Sequence, residues 1–177
     1  MLKITGIIIA VLVAGVLIVA ATKPDTFSVQ RSASIKAPPE KVFGLINDFK
    51  RWDAWSPWEK KDPAMKRSLG AATSGQGATY AWEGDKNVGK GRMEIAESMP
   101  PSRVRLKLDF EEPFEAHNSV EFRLEPRDGA THVSWAMEGP MPFISKLMSV
   151  FVDFDRMIGA DFEAGLAALK AAAEKPN

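Results

Sequence analysis

The chain contains no cysteine. That excludes disulfides, thiolate metal sites and a thiol nucleophile, and it permits an oxidising compartment without requiring one. Histidine is nearly as scarce, with only His117 and His132, and Tyr80 is the single tyrosine. His117 alternates opposite to Val120, Phe122 and Leu124, and His132 is out of phase with Val133 and Trp135. Both are therefore expected at the surface, with no catalytic or ligating role. An excess of either charge is also missing, since 23 basic residues face 23 acidic ones. No basic face is implied, so nucleic acid is not an expected partner. The glycines of the stretch from Gly84 to Gly91 (GDKNVGKG) precede no helix and match neither nucleotide fingerprint, so they read as hairpin turns. No cofactor and no metal is expected.

What the sequence does have, at its start, is a long apolar run. Ile4 to Ala21 carries no charge and is bracketed by Lys3 and Lys23. As a helix it spans roughly 27 Å, close to the bilayer's hydrocarbon core of about 30 Å. Residues 1–22 are read as an uncleaved transmembrane anchor. A cleaved secretory signal is the alternative, with the small residues Val19, Ala20 and Ala21 at a possible cut, although the run is longer than a usual signal core. The basic residues flanking the span do not decide its orientation, because Lys3 precedes it while Lys23, Arg31 and Lys36 follow, offset by Asp25. The expected arrangement is a single-pass membrane protein with its globular domain on the exported, periplasmic or extracellular, side. Residues 23–26 are the linker. Residues 27–173 then form one domain of ordinary size, roughly 150 residues, and the chain beyond the leader carries 22 basic residues (23 less Lys3) against 23 acidic ones.

Within that domain Phe27, Val29, Arg31, Ala33 and Ile35 alternate with polar residues, the period of a strand with one drier face. Ala37-Pro38-Pro39-Glu40 stops the strand and opens a helix whose apolar side is Val42, Phe43, Leu45 and Ile46. An aromatic stretch, FKRWDAWSPW from Phe49 to Trp58, follows, and Pro57 breaks any helix there. Alternation returns at Ala78, Tyr80 and Trp82, at Met93 and Ile95, and from Val104 to Phe110. It recurs from Val120 to Leu124 and from Val133 to Met137, with turns at Gly84-Asp85, Pro100-Pro101 and Arg127-Asp128-Gly129. The period then changes to that of a helix. Phe143, Leu147, Phe151, Phe154, Ile158, Phe162, Leu166 and Leu169 recur every three or four residues, predicting one long C-terminal helix. Such a helix must lie along a sheet, so the fold class is α+β.

The order of these segments resembles the polyketide cyclase/dehydrase branch of the START-like superfamily, also called SRPBCC, helix-grip or Bet v 1-like. The resemblance rests on APPEKVF, WDAWSPWEKKDPAMK, the GxGATYAWEGD strand from Gly75 to Asp85, VGKGRMEI and the terminal DFEAGLAALK. It covers about Phe27 to Leu169. It implies a curved antiparallel sheet of about seven strands around the long C-terminal helix, enclosing an apolar cavity for lipids, isoprenoids, quinones or polyketide-like molecules. Function transfers poorly on such a superfold.

The candidate ligand-binding residues are Tyr80, Trp82, Met93, Asn118, Trp135, Phe154, Ile158 and Asp161; no catalytic set is assigned. Asp161 falls within the apolar stripe at 100° per residue, where a carboxylate must be hydrogen-bonded, paired or protonated. It is either a structural partner of a Trp indole or an Arg, or a polar anchor in the cavity. Asn118 shares the face of Val120 and Phe122, and either binds a ligand carbonyl or satisfies strand-end backbone. Trp52, Trp55 and Trp58 fit core packing over one end of the cavity, or an interfacial belt. The leading expectation is a membrane-tethered domain that binds a hydrophobic or amphipathic small molecule without catalysis. One alternative is a metal-free cyclase or dehydratase with Asp161 as acid/base and Asn118 orienting a carbonyl. Another is a structural envelope module that docks a protein.

Overall fold

A computed structural model describes residues 2–176, with side chains from Ile4 onward, so the Lys3 side chain lies outside the described part. The apolar run forms helix α1 (Leu2–Ala21). Ile4–Ala21 is long and apolar enough to cross a membrane, a test that a signal sequence also passes. Its side chains are exposed almost throughout, and Ala20 alone is buried.

Strand β1 (Thr26–Ile35) follows, then α2 (Pro39–Ile46), a short 3-10 helix (Phe49–Ala54), and α3 (Pro57–Lys61). Proline sits at the first turn of both α2 and α3, where the missing N–H has no helical partner to lose. Six further strands come next: β2 (Lys66–Leu69), β3 (Thr79–Glu83), β4 (Lys90–Met99), β5 (Arg103–Glu112), β6 (Ala116–Arg127) and β7 (Ala130–Pro140). They form one antiparallel sheet in the order β1-β7-β6-β5-β4-β3-β2. Every neighbour except β1 with β7 is consecutive in sequence, so the sheet is a meander whose first strand closes on the last.

Register places the dry face. Val104 lies opposite Phe122 and Leu106 opposite Val120, while Phe122 meets Trp135 and Leu124 meets Val133 on the other side. All of these are buried. Period-two alternation has put them on one face; α2 packs on β5, β6 and β7, and Trp58 of α3 and Phe162 of the C-terminal helix meet Trp135 there.

The expected single C-terminal helix is in fact two. Helix α4 (Phe143–Met148) ends at Ser149, and α5 (Phe154–Ala173) starts afresh with Asp153, whose side chain accepts from the Arg156 N–H as an N-cap. An N-cap residue is itself non-helical, and the extended backbone of Asp153 interrupts the helical run there. The apolar residues around the break are not core: Phe143, Ile144, Phe151 and Met157 are each more than half exposed. Helix α4 packs instead against α1. Helix α5 is clamped to edge strand β1 by Arg31, which donates to Asp155 at 2.9 Å and to Glu163 at 2.8 Å. Gly159 makes room for that guanidinium, since a Cβ there would lie 2.0 Å from Arg31 Nη2.

Candidate functional site

Between the sheet and its helical cover lies a cavity of about 60 Å³. Strands β3, β4 and β5 contribute Tyr80, Trp82, Met93, Leu108 and Phe110 to its wall; β6 and β7 contribute Val120, Trp135 and Met137. The opposite side is built by Trp52, Ser56, Trp58 and Glu59, by Met65, which precedes β2, and by Phe162 of α5. This is less room than the roughly 150 Å³ apolar cavity that admits benzene. A larger ligand must therefore displace side chains. Met65, Met93 and Met137 are the unbranched, adaptable groups that could yield.

The aromatic part of the wall is tightly organised. Trp135 stacks on Phe162 with ring centroids 4.1 Å apart and planes 11° apart, and Trp58 meets both rings edge-on at 5.7 and 6.4 Å. The Trp52 indole donates to the Ile46 carbonyl at 2.8 Å and Trp82 to the Val88 carbonyl at 3.0 Å. The Trp135 indole N–H, buried, has no hydrogen-bond partner among the described residues.

One ionisable carboxylate joins this wall. Glu59, on α3, keeps only 10% of its side chain exposed. Its Oε1 accepts from the Tyr80 hydroxyl at 2.7 Å and its Oε2 from Arg67 Nε at 2.6 Å. Arg67 also donates to the Met65 carbonyl. Burial, reinforced by the Glu59 carboxylate, raises the Tyr80 pKa well above that of an ordinary phenol, so the hydroxyl stays protonated and donates. The bond to Glu59 likewise holds the Arg67 proton more firmly.

Of the residues singled out from sequence, Tyr80, Trp82, Met93 and Trp135 are brought together on the cavity wall. The other four are not among its lining. Asp161 sits on the flank of α5, 24% exposed, and pairs with Lys61 at 2.6 Å rather than with an indole or an arginine. Its expected phase was carried across the break before Phe154; within α5 the buried face centres on Phe162, Leu166 and Leu169. Phe154 is the half-buried first residue of α5, and Ile158 packs against the edge of the core. Asn118 lies over Gly139, where a Cβ would be 1.9 Å from its Oδ1, and that buried oxygen has no partner among the described residues. Trp55 is wholly buried and donates to the Leu45 carbonyl, a core role. His117 is exposed, and His132 is half-exposed. Among the described residues no group of three or more His, Cys, Asp or Glu could hold a metal ion.

A family profile described as polyketide cyclase / dehydrase and lipid transport matches residues 26–174. The chain belongs to that family. Solved structures share the fold of this polyketide cyclase/dehydrase family member at low identity. A Chromobacterium violaceum protein is 17% identical with a TM-score of 0.61, covering 87% of this chain and 100% of its own. The Aha1 dimer of Colwellia psychrerythraea is also 17% identical, with a TM-score of 0.60 and coverages of 84% and 96%. The di-domain ARO/CYC BexL of the BE-7585A biosynthetic pathway is 15% identical, with a TM-score of 0.63, covering 90% of this chain and 53% of its own. No curated protein matches in sequence. The cavity of this family member is consistent with a hydrophobic small molecule, and the family fold, a seven-stranded antiparallel sheet with a long C-terminal helix, is the one expected.

Proposed function

We propose that this protein is a membrane-tethered binding domain that holds a hydrophobic or amphipathic small molecule between the sheet and α5, with no reaction of its own. The observation that carries the reading is the composition of the cavity wall, in which aromatic, methionine and aliphatic side chains surround a single carboxylate. Apolar pockets with a few placed polar groups are the usual form of small-molecule sites. The two groups that a cyclase reading would use, Asp161 and Asn118, are not among the lining residues, which favours binding over catalysis.

The tether rests on α1, an exposed apolar helix of membrane-spanning length, and on its neighbour α4, which presents Phe143 and Ile144 to the outside. Exposed apolar residues gathered in one place mark an interaction surface. Native mass spectrometry of the full chain, purified from cells in mild detergent, tests the binding reading. A defined mass adduct that survives detergent exchange supports it, and a chain carrying only bulk phospholipid counts against it. Carbonate extraction with N-terminal sequencing tests the tether: the uncut chain should stay in the membrane pellet, whereas a soluble mature form starting after residue 21 would show a cleaved leader.

A further inference from the structure

We propose that Glu59 is the polar anchor of the cavity and that it selects neutral ligands bearing a hydroxyl donor over anionic ones of the same shape. The inference rests on the binding reading above and deepens it.

A carboxylate offers about four lone-pair directions. Tyr80 and Arg67 each take one, at 2.7 and 2.6 Å, so acceptor capacity remains on both oxygens. Glu59 belongs to the lining, whereas Arg67 does not. The guanidinium therefore neutralises the carboxylate from behind and leaves the acceptor facing the ligand space. Three ligand classes are discriminated by this arrangement. A hydroxyl gains a charge-assisted hydrogen bond, which is stronger than a neutral one. A carboxylate or phosphate brings its own negative charge against Glu59 in an apolar surround and is repelled. An ammonium finds a pair already neutralised by Arg67, and burying an uncompensated cation is costly. Tyr80 cannot serve an anionic ligand as donor without giving up Glu59, to which its proton is already committed.

The test uses the full chain in detergent micelles and three probes of common shape: naphthol, its methyl ether methoxynaphthalene, and naphthoate. Equilibrium dialysis against empty micelles gives affinities referred to free probe. Naphthol should bind about tenfold or more tighter than either of the others, the difference made by a hydrogen bond to a charged group. In Glu59→Gln the preference over naphthoate should fall about tenfold. Tyr80→Phe keeps the charge and frees a lone pair on Oε1, so the naphthol preference should persist or grow; this variant also guards against a misfolded Glu59→Gln. Equal binding of naphthol and its methyl ether by the unaltered chain would overturn the anchor while leaving the cavity a binding site. Naphthoate bound as tightly as naphthol would overturn the charge selection. Binding of none of the three would remove the binding reading itself.

Discussion

His117 and Asp109 face each other across β5 and β6, with His117 Nδ1 2.8 Å from Asp109 Oδ1. The bond to Asp109 raises the His117 pKa above 6.5, and the bond to His117 is the main cause of a lowered Asp109 pKa. A raised histidine contributes stability below its unfolded pKa and loses it as pH rises through the folded value; a lowered aspartate contributes above its unfolded pKa and loses it as pH falls through the folded one. The pair is thus complete between the depressed Asp109 value and the elevated His117 value. An NMR titration of His117 should place its midpoint above 6.5, with Asp109→Asn lowering it; the same midpoint in both proteins would contradict the pairing. Asp161 belongs to this scale too. Because the Lys61–Asp161 pair is 37% and 24% exposed, Asp161→Asn should cost no more than about 1 kcal/mol, as partly solvated pairs do. A loss of several kcal/mol by urea titration would mean that Asp161 is far more buried than its flank position allows.

At the scale of elements, α5 lies tight against the sheet at Gly165. A Cβ there would lie 2.7 Å from Trp135 Cζ3 and 3.1 Å from Pro57 Cδ. Gly165→Ala should therefore destabilise the domain by about 1 to 3 kcal/mol through overpacking, outweighing alanine's better helix propensity of about 1 kcal/mol; a raised melting temperature would refute this. The elements also divide by how they could be read from sequence. Strands β1 and β3 to β7 were legible because one face is dry. Strand β2 was not: Lys66–Leu69 is exposed at every position, so no alternation exists to detect, and it was expected only through the family resemblance. The α4 to α5 break was hidden by Phe143, Phe151 and Phe154, which keep a helical period although Phe151 is 74% exposed. The aromatic cavity wall was legible from strand parity. Glu59 was not, because it lies in the charged run WEKKD, where a solvated face is the natural reading. The one signal available was Tyr80, a lone phenol on a dry face that needs an acceptor.

For the molecule as a whole, removing residues 1–22 should leave a folded domain, since every sheet strand and α5 lie beyond them. Circular dichroism should retain the sheet signal, and the melting temperature should stay close to that of the full chain. Loss of cooperative melting would show that α1 is part of the core. The joint between α1 and the domain is short and tied. Asp25 accepts from the Met141 N–H at 2.7 Å through its carbonyl and from Lys146 at 2.5 Å through its carboxylate, so the segment leading into β1 is tied to the last turn of α4, which itself packs against α1. A domain on a loose leash tumbles freely, whereas one fastened this way inherits the tilt of its helix. If α1 crosses a bilayer as proposed, every copy then presents the same orientation, and the near-parallel planes of Trp135 and Phe162 are aligned across the population. Stacked, oriented bilayers should accordingly give a polarised absorption in the tryptophan band. Replacing both Asp25 and Lys146 by alanine should shrink that polarisation and leave the fold intact.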